Sequence, residues 1–328
     1  MTIRDPRGRT PLALRLPWVL ALIAATALSP PAWAGQRAAL TVVLDWFVNP
    51  DHGPLVIALE KGFFEAQGLD VRLIAPADPN DPPKLVAAGK ADLAVSYQPQ
   101  LHLQVAQGLP LFRVATLVAT PLNCLVALAD GPVRRIEDLK GRKVGYSVGG
   151  FEDALLGQML ETHGLRLGDV ELVNVNFSLS APLVSGQVDA VIGAFRNFEL
   201  NQLAILGHPG RAFYPEEEGV PAYDELVLVC RRDRVGDPRI GRFLSAVEAA
   251  VGFIVNRPEE SWALFVRYRG ELDDELNRRA WRDTLRRFAL RPRALDRGRY
   301  ERFAAFLKRR GLLKRLVPVE TYAVEVVR

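Results

Sequence analysis

Short apolar runs alternate with amphipathic segments from Leu40 to about Arg231. The predicted strands are Leu40–Leu44, Asp70–Ile74, Leu93–Ser96, Phe112–Ala119, Cys124–Ala129, Lys143–Ser147, Glu171–Val175, Ala190–Phe195 and Leu226–Arg231. The predicted helices between them include Leu55–Gln67, Glu152–His163 and Phe198–Leu206. Because strands that alternate with amphipathic helices form βαβ units, the pattern predicts an α/β fold with mainly parallel sheets.

The pattern changes beyond Asp237, where long helical periodicities follow one another. They predict helices over Ile240–Val255, Glu259–Tyr268, Glu271–Phe288 and Tyr300–Arg310. Basic pairs such as Arg278-Arg279 and Arg286-Arg287 fall within these amphipathic patterns, which favours solvated helix faces. A contact surface for a membrane partner is the alternative interpretation. The chain is therefore expected to end in a helical tail.

A short internal repeat indicates two similar lobes. Gly89–Val95 (GKADLAV) recurs 97 residues later as Gly186–Ile192 (GQVDAVI). In each copy a glycine ends a helix, an aspartate lies in the turn and a buried strand follows. Chance similarity of a common helix-turn-strand unit is the alternative. Two α/β lobes followed by a helical tail predict a clamshell whose chain crosses between the lobes twice.

The crossings are predicted near Thr120–Leu125 and Val227–Arg231. Lobe 1 then comprises residues 36–122 and 231–328, and lobe 2 comprises residues 123–230. The sequence contains two cysteines, Cys124 and Cys230, and each lies on one of the crossings. They could form a hinge disulfide or remain two buried thiols. Two cysteines are too few for a disulfide framework or a cysteine-rich zinc site.

The first 34 residues have the pattern of a secretory signal peptide. Four arginines precede the apolar run Trp18–Leu28, and Ala32-Trp33-Ala34 is a small-x-small cleavage site. The apolar run is shorter than the about 20 residues that span a bilayer. Cleavage would remove four arginines and one aspartate, so the net charge would fall from +4 to +1. We therefore expect an exported, periplasmic protein, and the small charge argues against a nucleic-acid partner.

Aromatic and polar residues cluster where predicted strands end. In an open α/β sheet, ligands bind outside the carboxyl ends of the strands. The candidate ligand-binding residues at these ends are Asp45, Trp46, Asn49, His52, Tyr97, Gln98, Gly149, Gly150, Phe151, Phe195, Asn197 and Glu199. The rings could form a stacking slot, and the polar groups could bind the edge of a planar heterocycle. For each ring alone, packing in the core is the alternative.

Gly149-Gly150-Phe151 could add a second kind of contact. Two glycines permit a sharp turn between a strand and a helix, and a helix N-terminus offers free N–H groups. The acidic Glu152-Asp153 that follows disfavours a strongly anionic ligand, so a formyl or hydroxyl oxygen fits better than a phosphate. A plain helix start explains the glycines equally well.

Catalytic signatures are missing from the sequence. It has no G-x-S-x-G, H-E-x-x-H, P-loop or dinucleotide-binding motif. The four histidines lack the mutual spacing of a metal site, and no nucleophile is paired with a base. We therefore expect no metal, no cofactor and no enzymatic activity.

The sequence resembles the thiamine-pyrimidine-precursor family. The element Leu44-Asp45-Trp46-x-x-Asn49-x-x-His52-x-x-Leu55 carries the resemblance, with Glu60–Phe64, Gly68-Leu69 and Lys140–Tyr146. The resemblance covers residues 38 to 310. The family includes bacterial formylaminopyrimidine-binding proteins of ABC importers and fungal thiamine pyrimidine synthases. Two of the three elements also occur in binding proteins for sulfonate, nitrate and riboflavin, which stay as alternatives.

The importer branch implies a type II, clamshell periplasmic binding protein that works as a monomer with an ABC permease of the inner membrane. Its ligand would be a thiamine-precursor aminopyrimidine, either hydroxymethylpyrimidine or its formylaminomethyl analogue. The resemblance implies that Trp46 and a ring of lobe 2 enclose the pyrimidine. It also implies that Glu199 binds the amino group and ring nitrogen, supported by Asn49 and Asn197.

The synthase branch implies a different chemistry. Those enzymes hold pyridoxal phosphate on a lysine, consume a histidine and carry a cysteine-rich iron-binding run. The positions that match the lysine and the histidine are Gln98 and His102, and the region Ala222–Cys230 contains a single cysteine. The resemblance to the synthases therefore lacks the residues that would carry their reaction.

Overall fold

The computed structural model describes residues 37–326, so the predicted signal peptide lies outside the described residues. Ten strands alternate with helices along this part of the chain. The strands are β1 (Ala38–Val43), β2 (Leu69–Ile74), β3 (Leu93–Ser96), β4 (Leu111–Val118), β5 (Asn123–Leu128), β6 (Lys143–Tyr146), β7 (Glu171–Asn174), β8 (Ala190–Phe195), β9 (Gly210–Phe213) and β10 (Leu226–Arg231).

Eleven α-helices connect or follow these strands within residues 37–326. They are α1 (Gly53–Glu60), α2 (Phe63–Ala66), α3 (Pro82–Ala87), α4 (Gln98–Ala106), α5 (Glu152–Thr162), α6 (Ser180–Val184), α7 (Glu199–Ile205), α8 (Pro238–Asn256), α9 (Pro258–Tyr268), α10 (Glu275–Thr284) and α11 (Arg297–Arg309). In the described part of the chain, no helix has both the length and the apolar character to cross a membrane. The helical C-terminal tail predicted from the sequence is present as α8–α11.

The strands form two five-stranded sheets with the same plan. The first has the order β2-β1-β3-β10-β4, and the second has the order β7-β6-β8-β5-β9. In the first sheet β1 pairs in parallel with β2 and β3, and β10 is antiparallel to β3 and β4. In the second, β6 pairs in parallel with β7 and β8, and β5 is antiparallel to β8 and β9. In each sheet the antiparallel strand is the first one that the chain enters after it leaves the other sheet.

We call the part of the chain around the first sheet lobe 1 and the part around the second sheet lobe 2. The interior of lobe 1 extends from β1 and β3 to α8, where the rings of Phe64 and Phe243 stack with centroids 4.9 Å apart. Leu125, Val144 and Ile192 lie in the core of lobe 2. Each fully buried side chain of this size contributes about 1.5–3 kcal/mol, and these interiors hold the strand ends in place.

Several sequence predictions of local structure are wrong in detail. β10 lies wholly in the first sheet, so the chain returns to lobe 1 before Leu226 and not within Val227–Arg231. The helix predicted over Leu55–Gln67 is interrupted at Gly62, whose φ of 70° is left-handed and ends α1. The helix predicted over Glu271–Phe288 is α10 flanked by two 3-10 turns.

The structure decides between the two alternatives for the cysteines. Cys124 and Cys230 are both free and buried. They lie in different sheets, on β5 and β10, and the Cys124 thiol donates a weak hydrogen bond to the Ala194 carbonyl at 3.2 Å. The alternative of two buried thiols describes the structure.

Candidate functional site

The loop after β1 is held by a tight local cap. Asn49 accepts a hydrogen bond from the Asp51 backbone N–H (2.8 Å), and its own N–H donates to His52 Nδ1 (3.2 Å). This reciprocal arrangement is a capping box around the 3-10 turn Pro50–His52. Pro50 lacks the N–H that would stay unpaired at the first position of such a turn. The sequence Asn-Pro-Asp-His therefore fixes the directions of Asp51 and His52 before any contact with lobe 2.

Asp45 is fully engaged by neighbouring side chains of lobe 1. His52 Nδ1 accepts from the Asn49 N–H, so its proton is on Nε2, which donates to Asp45 Oδ1 at 2.8 Å. The Tyr97 hydroxyl donates to the other oxygen, Oδ2, at 2.9 Å. Asp45 thus orients one ring from the first loop and one from the end of β3, and both its oxygens are already used.

Lobe 2 presents two glutamates at the starts of helices. Glu152 begins α5, and its Oε2 accepts the backbone N–H groups of Ser147 and Val148 at 2.8 and 3.1 Å. Glu199 begins α7, and its Oε2 accepts the Phe195 N–H at 2.6 Å. In both cases the helix folds the carboxylate back onto the strand end that precedes it. One oxygen of each, Oε1, is not used by these bonds.

Gly193 makes room for Glu152. It lies in β8 with φ 97°, and a Cβ at this position would overlap with Glu152 Oε1. Both the backbone conformation and the space therefore require glycine. The sequence Val-Ile-Gly-Ala-Phe gives no sign of this requirement, because the residue that fills the space is 41 positions earlier.

These groups line a cavity between the two lobes. It is lined by Asp45, Trp46, Asn49, Asp51, Tyr97, Glu152, Leu179, Gly193, Phe195, Phe198 and Glu199. Sites for small molecules combine apolar walls with a few polar groups. The cavity therefore has the lining of a site for a small, partly aromatic ligand.

Aromatic rings from both lobes surround the cavity. Tyr97 packs on Phe151 with centroids 4.9 Å apart, and Phe195 meets Tyr97 edge to face at 6.4 Å. Trp46 makes an edge-to-face contact with Phe177 of lobe 2 at 4.7 Å. In an edge-to-face pair, the ring that contributes its edge keeps both of its own faces free of its partner. A flat ligand could therefore stack on such a face.

Burial shifts three acids of the cavity toward their neutral forms. It raises the pKa of Asp51 to about 6, against the electrostatic influence of His52 and the hydrogen bonds from Asn197 and Thr284. It also raises the pKa of Glu152 to about 8 and that of Glu199 to about 7, although backbone N–H groups oppose both shifts. The pKa of Tyr97 is well above its ordinary value, through burial and then the nearby Asp45. Removing a carboxylate from water is the common cause.

The lobes are joined beside the cavity by polar contacts. Asn197 of lobe 2 donates from Nδ2 to Asp51 Oδ1 (2.6 Å) and to the Thr284 hydroxyl (2.7 Å) of lobe 1. Asn80 of lobe 1 donates to the Ser147 carbonyl and accepts the Gly149 N–H, at 3.3 and 3.2 Å. The lobes therefore meet in a closed arrangement around the cavity.

Six of the residues predicted from the sequence line the cavity. They are Asp45, Trp46, Asn49, Tyr97, Phe195 and Glu199. His52 and Phe151 lie behind this lining and support Asp45 and Tyr97, and Asn197 lies at the contact between the lobes.

Three other predicted residues lie elsewhere. Gln98 is buried away from the cavity and accepts the Asp224 N–H at 2.8 Å. Gly149 and Gly150 are exposed and do not line the cavity. The sequence prediction missed Asp51, Glu152, Leu179 and Gly193 as lining residues. The sequence shows Asp51 and Glu152 as acidic residues at loop ends, but it does not show that their side chains line the cavity.

No metal site accompanies these acids in the described chain. Among residues 37–326, no group of three or more His, Cys, Asp or Glu side chains is arranged to hold a metal ion. His102 is buried among Tyr300, Phe303 and Tyr322, and burial lowers its pKa to about 3. It lies outside the cavity lining.

The fold and the site define a class of protein. The chain has a TM-score of 0.70 against the alkanesulfonate-binding protein SsuA from Xanthomonas axonopodis pv. citri bound to MOPS, at 18% identity, covering 88% of this chain and 99% of that one. This likeness shows the two-lobe periplasmic-binding-protein fold. Together with the inter-lobe cavity and the relatives below, it identifies a solute-binding protein.

The family follows from the sequence comparisons. A family model described as NMT1/THI5 like matches residues 49–261, and the chain belongs to this family. A protein of Haemophilus influenzae, whose name assigns it provisionally to thiamine biosynthesis, is 53% identical over 300 residues, covering 91% of this chain and 95% of the relative. The formylaminopyrimidine-binding protein of Halalkalibacterium halodurans is 38% identical over 222 residues, 67% of each chain.

The synthases of the family are more distant. The 4-amino-5-hydroxymethyl-2-methylpyrimidine phosphate synthase THI13 of Saccharomyces cerevisiae is 26% identical over 250 residues, 73% of each chain. The resemblance to binding proteins and synthases stated from the sequence is thus confirmed.

Proposed function

We propose that this protein is the substrate-binding component of an ABC importer and that it binds a thiamine-related aminopyrimidine in the cavity between its lobes. The ligand would be hydroxymethylpyrimidine or its formylaminomethyl analogue. The observation that carries the proposal is the lining of the cavity, which combines aromatic rings with carboxylates that can accept hydrogen bonds from an amino group. The relative that binds formylaminopyrimidine supports the same ligand class.

In the proposed complex Glu199 accepts hydrogen bonds from the amino group and a protonated ring nitrogen. Its Oε2 is held by the Phe195 N–H, so Oε1 is the oxygen available to a ligand. A carboxylate oxygen has two lone pairs, so Oε1 can accept both N–H donors, and a hydrogen bond to an ionised acceptor is stronger than one between neutral groups. Trp46 and Phe195 line the cavity on opposite lobes, and stacking between such rings would orient a flat pyrimidine.

Ligand contacts to both lobes would favour the closed arrangement. A ligand shifts an equilibrium only by its different affinity for the two states. Contacts made by Trp46 on one lobe and Glu199 on the other exist together only when the lobes are closed. Closure would present one composite surface to a cognate permease. The proposed signal peptide would place the protein in the periplasm, where it would act as a monomer.

A thermal-shift series on the purified protein tests this function. The panel is hydroxymethylpyrimidine, its formylaminomethyl analogue, thiamine, riboflavin, pyridoxal phosphate, taurine and nitrate. Ligand at 100 times its dissociation constant stabilises the folded state by about 2.7 kcal/mol, a shift of several degrees. We expect a shift with the aminopyrimidines alone. A shift with taurine or nitrate alone would indicate a sulfonate or nitrate ligand in place of the aminopyrimidine. A shift with pyridoxal phosphate alone would favour a synthase.

A further inference from the structure

Asp51 occupies an unusual position among the carboxylates of the cavity. It lines the cavity, is 1% exposed and lies at the contact between the lobes. Its Oδ1 accepts hydrogen bonds from Asn197 of lobe 2 (2.6 Å) and from the Thr284 hydroxyl (3.1 Å). Its Oδ2 is buried and has no hydrogen-bond partner in the structure. One oxygen therefore joins the lobes, and the other is an unpartnered acceptor in a residue that lines the cavity.

No basic side chain among residues 37–326 makes a hydrogen bond to this oxygen. Within the same residues, the lining of the cavity contains four carboxylates and no lysine, arginine or histidine. Both ring nitrogens of the neighbouring His52 are engaged elsewhere, because one donates to Asp45 and the other accepts the Asn49 N–H. A buried carboxylate oxygen without a partner is costly. A group that brings both a hydrogen-bond donor and a positive charge would remove that cost.

We propose that Asp51 is a specificity-determining residue, and that its Oδ2 selects aminopyrimidines that carry a second, positively charged amino group on their side arm. This inference rests on the proposed function, in which Glu199 binds the amino group of the ring. An ammonium group at Asp51 pairs with the same carboxylate that receives Asn197. Recognition of the cation thereby keeps ionised the carboxylate that accepts the hydrogen bond between the two lobes.

The raised pKa of Asp51, about 6, supports the proposal and adds a pH dependence. Below about pH 6 the carboxyl is protonated and uncharged, and above it the carboxylate attracts a cation. An alkylammonium arm keeps its proton across this range. The other titratable groups that face Asp51 are Asp45, His52 and Glu199; Asp45 is saturated by hydrogen bonds, and Glu199 titrates at a higher pH, about 7. The preference for a cationic arm should therefore increase from pH 5 to pH 7.

The test compares two probes that differ in one group. Isothermal titration calorimetry measures the dissociation constants of hydroxymethylpyrimidine and of its aminomethyl analogue, first with the unaltered protein. We expect the aminomethyl analogue to bind at least tenfold more tightly at pH 7, with a smaller preference at pH 5. In Asp51→Asn the preference should fall about tenfold and lose its pH dependence between pH 5 and pH 6.5.

Two control variants separate charge from packing. Thr284→Val removes one hydrogen bond to Asp51 Oδ1 but keeps the carboxylate, so the preference should persist. Glu225→Gln removes a buried carboxylate that does not line the cavity and whose Oε2 accepts the Leu122 and Asn123 N–H groups; it should also keep the preference. If Asp51→Asn does not fold, the test is the pH dependence of the preference for the aminomethyl probe in the unaltered protein. A preference that does not increase from pH 5 to pH 7 would then overturn the role of Asp51.

The outcomes distinguish the inference from the function on which it rests. Equal binding of both probes, or tighter binding of the hydroxymethyl compound, would overturn the role of Asp51 and leave the aminopyrimidine function standing. A preference that survives in Asp51→Asn would assign the selection to another carboxylate and would also overturn it. Failure of both probes to bind would remove the proposed function and the inference together.

Discussion

The two walls of the cavity hold their carboxylates in different ways. On the lobe 1 wall, Asp45 receives hydrogen bonds from the side chains of His52 and Tyr97, which come from two different strand ends. On the lobe 2 wall, Glu152 and Glu199 are each held through one oxygen by backbone N–H groups no more than five residues away. The first wall is a network of side chains, and the second consists of two independent local turns.

This difference separates stability from recognition. A side-chain network loses several buried hydrogen bonds when one member is removed, because its partners then stay unpaired. A carboxylate held by its own turn can be altered with little effect on other residues, and its second oxygen is available to a ligand. Changes in the lobe 1 network should therefore act on folding, and changes in the lobe 2 carboxylates should act on binding.

The largest effect is expected from Asp45→Ala. The substitution leaves His52 Nε2 and the Tyr97 hydroxyl without their acceptor inside the protein. Each unpaired buried group costs about 1–3 kcal/mol, so the free energy of unfolding should fall by about 3 kcal/mol. Urea unfolding followed by circular dichroism measures it, with the exposed Glu217→Gln as a control. A loss below about 1 kcal/mol would show that the network is not structural.

Glu199→Gln should weaken ligand binding and leave the stability of the fold almost unchanged. The glutamine oxygen still accepts the Phe195 N–H, so stability should change by less than about 1 kcal/mol. A hydrogen bond to a charged group is worth about 1.5–3 kcal/mol, so affinity for hydroxymethylpyrimidine should fall about 10–100-fold in a calorimetric titration. Unchanged affinity would move the recognition of the amino group to another residue.

Gly193→Ala tests how the lobe 2 wall is shaped. The new Cβ would meet Glu152 Oε1, and the alanine would have to adopt a left-handed φ. The free energy of unfolding should therefore fall by about 1–2 kcal/mol. Glu152→Ala removes the obstacle. The double variant should therefore recover part of the loss, as residues in contact do in a double-mutant cycle. Strict additivity of the two changes in urea unfolding would contradict the contact.

Trp46→Ala should weaken aminopyrimidine binding by several-fold, roughly 1 kcal/mol, with the fold intact, because it removes a stacking surface on the lobe 1 wall. Phe47→Ala is the matched control. Phe47 is the next residue and also aromatic, but it is 54% exposed and does not line the cavity. Equal effects of the two substitutions would point to the contact that both rings make with Phe177 instead of to stacking.

Hydrophobic pattern alone was enough to locate most of the framework. The predicted Leu226–Arg231 coincides with β10, and the predicted Cys124–Ala129 differs from β5 by one residue at each end. These strands are continuous apolar runs between turn residues, so their limits are visible in the sequence. The strand β9, Gly210–Phe213, was not predicted, since it is short and contains Gly and Arg. Its strand conformation depends on pairing with β5 at the edge of the second sheet.

The site was predictable only where a strand end delivers a residue directly. Asp45, Trp46 and Tyr97 follow buried strands immediately, so periodicity and strand ends are enough to place them. Asp51 depends on Asn197 and Thr284, which are 146 and 233 residues away. Such distant partners leave no local pattern. Gln98 shows the converse, because it follows a strand end but its amide is directed to Asp224 and away from the cavity.

The proposed function is tested most directly by a calorimetric titration of the purified protein with hydroxymethylpyrimidine and with its formylaminomethyl analogue. We expect one site per chain and, for at least one of the two compounds, a dissociation constant below about 1 μM, or roughly −8 kcal/mol. We expect no binding of taurine under the same conditions. No binding of either pyrimidine at millimolar concentration, or tight binding of taurine instead, would contradict the proposed function.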